Sequence, residues 1–346
     1  MTGHFLSAGD PEQLTGGHIY NRRILSALAA QGWPLQHHVL PGDYPEPAAG
    51  DHAAACDRLA ALPDDSVVVI DGLALGALAE AIVAHSTWLR LVALVHLPLG
   101  AEVGTAATQL RERAAREARA LAACRRIIAN SEHTRDGLVR RGLAPTAIDV
   151  VPPGTEPAPL ARGADDTTRL ICVATVTPRK GQDLLVDALA GLVGLSWHCR
   201  LVGSVDRDPA FAARVRERID QAGLADRISL VGECAGAALE ACWHEADLAV
   251  LPSHYEGYGM VITEAIARGL PVVATAGGAV GEALPPATGL LSAPGDRAAL
   301  EVNLGEFLGN AELRGTLAEM ARRARRGLPT WDERARQFAH ALERTG

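Results

Sequence analysis

Along the first 150 residues, short and almost uniformly apolar runs alternate with longer stretches whose apolar positions recur at helical spacing. The runs are HFLSA (4–8), LQHHVL (35–40), SVVVID (66–71), LRLVALVHL (89–97), RIIAN (126–130) and DVVP (149–152). Between them lie NRRILSALAAQG (21–32), closed by Gly32, and an Arg-rich stretch around 105–124. Runs of this length that are apolar on both faces and joined by helices predict parallel strands covered on both sides.

The pattern breaks at PPGTEPAPLARGADDT (152–167), which is rich in Pro, Gly, Ala and Asp and has no period. Alternation then restarts with LICVAT (170–175), WHCRLVG (197–203), ISLVG (228–232), DLAVLPS (247–253), LPVVAT (270–275) and GLLSA (289–293). Helical patterns fill 181–194, 209–222, 236–246, 261–269, 296–308 and 311–326, and a final one runs over 331–344. No short internal repeat is present. A chain of 346 residues is long for one core. The expectation is two doubly wound α/β domains: 1–155, a linker at 156–168, 169–328, and a closing helix at 329–346. Ligands of such sheets bind outside the carboxyl ends of the strands, and two facing domains leave a cleft suited to one.

Composition narrows the function without naming it. A net charge of −8 argues against nucleic acid as the partner. Two local basic groups stand against that balance: Arg111, Arg113, Arg116, Arg119, Arg125 and Arg126, then Arg322, Arg323, Arg325 and Arg326. Solvated helix faces are the first expectation for them, and contact with a membrane surface or an anionic acceptor is the second. The six cysteines form no C-x2-C pair and several sit in apolar runs, so they read as small core residues in a reducing compartment. No charged and apolar leader opens the chain, and the run 67–84 is broken by Asp71, Gly72 and Glu80. A cytoplasmic location is expected. His37, His38 and His52 have no partners at ligand spacing, so no metal site is expected. Asp206-Arg207-Asp208 reads as solvated loop.

The chemistry concentrates at strand ends. HYEGYGM leaves the strand DLAVLPS, and Gly257 and Gly259 allow close approach of backbone to a ligand. A helix expected from about Val261 offers free N–H groups and a partial positive charge that suit phosphate. Glu264, placed in its first turn, would accept hydrogen bonds from ribose or sugar hydroxyls. Ser253-x-x-Glu256 also matches a capping box, and Glu264 also favours the helix dipole, so both readings of these carboxylates stay open. In ATVTPRKGQDLLVDAL (174–189), Arg179 and Lys180 follow another strand, where they can meet the charge of a diphosphate or form a solvated basic turn. Gly16 and Gly17 directly precede a helix, where they suit close approach of a donor's phosphate or sugar, with a plain turn as the favoured reading. His96 ends the strand before Pro98, where it could bond a sugar hydroxyl or a developing charge and where a satisfied core histidine is the competing reading.

Taken together, the segments PSHYEGYGMVITEAIARGLPVVAT, PRKG, the early TGG, His96, NSEHT (130–134), VPPGTE (151–156) and TWDERARQFAHALE resemble the family 4 retaining glycosyltransferases. The resemblance covers nearly the whole chain and is most specific in its second half. It implies the GT-B fold of two facing Rossmann-like domains, with acceptors bound by the first domain. It also implies an E-x7-E motif at Glu256 and Glu264 and a reaction from a nucleotide diphosphate sugar without a bound metal. By the same resemblance Glu264 binds the donor ribose, Glu256 approaches the donor sugar, and backbone N–H groups at Gly259, Met260 and Val261 hold sugar and phosphate. Lys180 neutralises the diphosphate, Gly17 closes the site and His96 touches the sugar near the reacting carbon. The last helix braces the first domain. Many members carry an arginine five positions before the lysine; here that position is Thr175, and Arg179 is the candidate for the second positive charge. A nucleotide-cyclitol coupling enzyme and a non-catalytic nucleotide-sugar-binding protein are the alternative expectations.

Overall fold

The computed structural model describes residues 3–101, 106–163 and 167–346. Positions 105 of the expected Arg-rich helix and 164–166 of the expected linker lie outside the described residues. The chain divides into two compact units, Met1–Gly154 with Pro329–Gly346, and Thr155–Leu328.

In unit 1 the order is β1 (Gly3–Ala8), α1 (Gly16–Ala30), β2 (Gln36–Leu40), α2 (Ala49–Ala60), β3 (Val67–Asp71), α3 (Gly72–Leu75), α4 (Ala79–His85), β4 (Arg90–Val95), α5 (Ala107–Ala123), β5 (Arg126–Ala129), α6 (Glu132–Arg140) and β6 (Ile148–Val150). All six strands are parallel in the order β2-β1-β3-β4-β5-β6. Direction reverses between β1 and β3, which makes that boundary the switch point of the sheet. The strands β1 and β3 are buried at every residue because each has a neighbour on both sides, whereas the edge strand β2 is mostly exposed.

In unit 2 the order is β7 (Thr168–Val173), α7 (Gln182–Ala190), β8 (Trp197–Val202), α8 (Pro209–Gln221), β9 (Ile228–Gly232), α9 (Gly236–His244), β10 (Leu248–Leu251), α10 (Met260–Ala267), β11 (Val272–Thr275), α11 (Val280–Ala283), β12 (Gly289–Ser292), α12 (Arg297–Gly309) and α13 (Ala311–Ala324). Its six parallel strands run β12-β11-β10-β7-β8-β9, and the switch point falls between β7 and β10. The alternation in LICV divides between two cores: Leu170 and Cys172 enter the one built with α7, α8 and α12, while Ile171 enters the one built with α10. The two-domain Rossmann-like architecture expected from the alternation is what the two sheets form.

After unit 2 the chain contributes α14 (Trp331–Glu343) to unit 1, opened by a capping box in which Thr330 and Glu333 exchange hydrogen bonds. It packs against α1, and its ring Trp331 lies 5.5 Å from that of Tyr20. No helix among the described residues is long and apolar enough to cross a membrane.

Three local readings need correction. Helix α1 starts at Gly16, not after the glycine pair, because Thr15 in extended geometry serves as its N-cap and both glycines take the first helical positions. Helix α7 stops at Ala190, where Gly191 follows as C-cap, four residues short of the expected end. Helix α2 is absent from the pattern: AGDHAAACDRLA buries only Ala55 and Leu59, too few apolar positions to show a period.

Candidate functional site

In unit 2 the carboxyl ends of β7 and β10 meet at the switch point. After β7 the chain makes a single 3-10 turn, Pro178–Lys180, ended by Gly181 in left-handed geometry (φ 66°). A Cβ there would stand 2.3 Å from the Pro252 carbonyl oxygen, so only glycine lets this turn seat against the loop that leaves β10. His254 N donates to Arg179 O at 2.8 Å and joins the two segments.

That seating converges three charges. Lys180 Nζ donates to Glu256 Oε1 at 2.6 Å, and Arg179 Nη1 lies 3.4 Å from Glu256 Oε2 while donating to Tyr255 O at 2.8 Å. Glu256 is 6% exposed. Burial pushes its carboxyl up, but Lys180 and then Arg179 outweigh burial and hold it below the ordinary value. For Lys180 burial prevails over Glu256, so its ammonium is held below the usual lysine value. The pair is a buried ion cluster, costly to break and rich in charge for a ligand to exploit.

Glu256 is fixed from behind by a segment that the sequence did not single out. Residues 256 and 278 form a parallel bridge, with Glu256 N donating to Gly277 O and Ala279 N to Glu256 O. A Cβ on Gly278 would stand 2.1 Å from Glu256 O, and its φ is +70°. The signal was AGG (276–278) directly after the strand LPVVAT.

Helix α10 begins at Met260, with Gly259 as N-cap at φ 95°. Gly257 is buried in the loop before it, and Met260 and Val261 are the first two helical residues, so their N–H groups belong to the free end of the helix. Two expectations for the carboxylates fail here. No helix starts after Ser253, so the capping box is not made and Glu256 spends its carboxylate on Lys180 and Arg179. Glu264 is the fifth helical residue, past the first turn, because the helix starts one residue earlier than the pattern suggested. Thr175, at the position of the expected arginine, gives its carbonyl to the Gln182 amide at 3.0 Å; the guanidinium near Glu256 comes from Arg179.

Unit 1 gathers Gly17 and His96, along with four residues that sequence reasoning missed: His18, Tyr20, Asn21 and Asp71. A Cβ on Gly17 would press to 3.3 Å from His96 Cδ2. His96 Nε2 and Asn21 Oδ1 are 2.9 Å apart, and Asn21 Nδ2 donates to Asp71 Oδ2. The Tyr20 ring meets the imidazole edge-on at 4.9 Å between centroids, and Tyr20 Oη donates to Val151 O at 2.9 Å. Burial is the main influence on His96 and lowers its tendency to protonate. His18 ties the start of α1 to the end of β1 through Ala8 O at 3.1 Å and Thr15 Oγ1 at 2.7 Å. The clue was the helical spacing of 17, 20, 21 and an aspartate ending SVVVID. Gly16 is exposed and has nothing within 4 Å of a built Cβ, so it stands apart from this cluster.

The remaining candidates resolve into structure. Asp208 caps α8 through Phe211 N. Arg113 and Arg116 pair with Glu46, Arg119 with Glu80, Arg126 with Asp149, and Arg325 donates to Ala158 O and Ala267 O. Among the described residues no group of three or more His, Cys, Asp or Glu is placed to hold a metal ion.

Comparison with known proteins bears on the family and the fold. The family model described as glycosyl transferases group 1 matches residues 161–324, and that of glycosyltransferase family 4 matches residues 52–158. A lipopolysaccharide core biosynthesis mannosyltransferase of Rhizobium meliloti (strain 1021) is 39% identical over 127 residues, 35% of this chain and 35% of the relative. Mannosylfructose-phosphate synthase of Agrobacterium fabrum (strain C58) is 29% identical over 240 residues, 64% of this chain and 53% of the relative. The matches thus span about half or less of these curated relatives. The solved sucrose-phosphate synthase from Thermosynechococcus elongatus shares the fold, with a TM-score of 0.81 and 23% identity over 98% of each chain.

Proposed function

We propose that this chain, which belongs to the glycosyltransferases of group 1 and family 4, moves a sugar from a nucleotide diphosphate sugar to an acceptor hydroxyl with retention at the anomeric carbon. The observation that carries the reading is the buried cluster of Lys180, Arg179 and Glu256 at the switch point of unit 2, beside the free N-terminus of α10.

The chemistry is set by where charge develops. As the sugar leaves, negative charge grows on the diphosphate, and preorganised cations and N–H groups lower that barrier most. Lys180 and Arg179 supply the cations, and Met260 and Val261 supply backbone N–H groups; the reaction is proposed to run without a resident metal because these groups meet the diphosphate charge. Glu256 restrains the two cations and accepts hydrogen bonds from sugar hydroxyls, while Glu264 takes the ribose. His96 and Gly17 of unit 1 serve the sugar. The acceptor attacks from the face that the diphosphate leaves, and a leaving phosphate oxygen takes its proton.

A thermal-shift screen of the full chain against UDP-, GDP- and ADP-sugars tests this, with mannosyl donors first because the two relatives described above are named for mannosyl transfer and for a mannosyl product. At least one nucleotide sugar should raise the melting temperature, and that donor should be consumed on addition of an acceptor. Stabilisation by no nucleotide or nucleotide sugar would refute the reading.

A further inference from the structure

Asp71 ends β3 and is 6% exposed, and both of its oxygens are spoken for: Oδ1 accepts from Leu73 N at 2.8 Å, and Oδ2 accepts from Asn21 Nδ2. A carboxylate accepts only, so the amide of Asn21 must turn its NH2 towards Asp71 and its oxygen towards His96. That oxygen also accepts only. His96 Nε2, 2.9 Å away, must therefore carry the imidazole proton, and Nδ1 is left with its lone pair. Nδ1 has no hydrogen-bond partner among the described residues. Tyr20 against the ring and Gly17 against Cδ2 leave the imidazole little room to turn.

We infer that Asp71 and Asn21 are positioning residues that fix His96 as the neutral Nε2–H tautomer, so that Nδ1 accepts a hydrogen bond from a hydroxyl of the transferred sugar. The inference rests on the assignment of His96 to the sugar in the proposed function. Of the titratable groups that act on the imidazole, Asp71 draws it towards protonation and His18 away from it, while burial, the largest influence, keeps it neutral. A hydrogen-bonded orienting group behind a histidine is a general device for setting which nitrogen faces the chemistry.

The relay predicts its own inversion. In Asp71→Asn the N–H of Leu73 still needs an acceptor and keeps the new amide's oxygen. The new NH2 then faces Asn21, whose amide must flip, and His96 Nε2 becomes the acceptor while its proton moves to Nδ1. The full chain, labelled with 15N-histidine, is read by long-range proton–nitrogen correlation, with His96 assigned by its loss in His96→Gln. The wild type should show protonated Nε2 and bare Nδ1 at His96, and Asp71→Asn the reverse. With the donor found by the screen, Asp71→Asn should lower kcat at least about tenfold while KM for the donor changes by less than about threefold. A wild-type His96 protonated on Nδ1 overturns the inference, and that measurement does not require Asp71→Asn to fold. So does an Asp71→Asn protein that keeps the Nε2–H pattern. If the wild type shows the Nε2–H pattern but consumes no donor, the relay stands and the proposed function falls.

Discussion

Lys180→Met keeps most of the side chain's bulk and removes only its charge, which isolates the ion cluster from its packing. The ammonium stands 2.6 Å from Glu256, and the guanidinium of Arg179 stands 3.4 Å away on the other oxygen. Removing one partner of a buried pair costs about 3–5 kcal/mol, and because Arg179 stays in place the low end of that range is expected. For a unit of this size about 3 kcal/mol lowers the melting temperature by roughly 6–12 °C. The effect should depend on pH with a definite sign. In the wild type the Glu256 carboxyl is held below its ordinary value, so its contribution is present above the unfolded-state value and is lost as pH falls through the folded one. Without the ammonium, burial dominates, the carboxyl moves up, and mild acid neutralises it. The gap between the two proteins should be widest at about pH 7.5 and narrow towards about pH 5. Calorimetric melts of both proteins at the two pH values measure it, and turnover of the donor should fall at least about tenfold, or 1.4 kcal/mol. An equal gap at both pH values would refute the pairing of Lys180 with Glu256 as the source of the loss.

Glu264→Ala should weaken nucleotide binding by about tenfold in titration calorimetry while the free protein stays folded; unchanged affinity would remove Glu264 from the ribose. Glu117 is fully buried in α5, where both its oxygens accept from Leu99 N and Arg141 adds a third bond; burial still pushes its carboxyl up to about 7. An acid raised in this way is protonated in the folded state where the unfolded chain has already lost its proton. Stability should therefore fall between the unfolded value and about pH 7 and level off above it, and Glu117→Gln should flatten the curve in urea melts. Trp331→Ala removes a ring that is 7% exposed and packs on Tyr20; a loss of about 3–5 kcal/mol is expected, with earlier protease cleavage between 328 and 331 as the check.

The strands were legible because buried parallel strands write themselves as apolar runs, and VVVID and LAVL could hardly be anything else. Elements that bury little were not, as Ala49–Ala60 shows. Within the site, residues placed just beyond the end of a strand could be read: Lys180 and Arg179 after β7, and Glu256 after β10. Roles set by contact across the fold could not. The sequence left Glu256 divided between a cap and a ligand contact, and only the approach of a turn 76 residues away along the chain resolves its partners. The same holds for Asn21, whose role is set only where Asp71 and His96 close on both ends of its amide.

Helix α14 has a consequence for the order in which the protein can be made. The residues that cover Tyr20 emerge from the ribosome only after all of Thr155–Leu328 has been synthesised. Unit 1 begins first and is completed second, and until Trp331 arrives the apolar side of α1 waits for its cover. Unit 2 is one continuous stretch and can fold on schedule, whereas a fragment ending near Gly154 would present a permanently uncapped surface. Dividing the chain for separate expression therefore calls for joining residues 329–346 to the first unit through a designed loop.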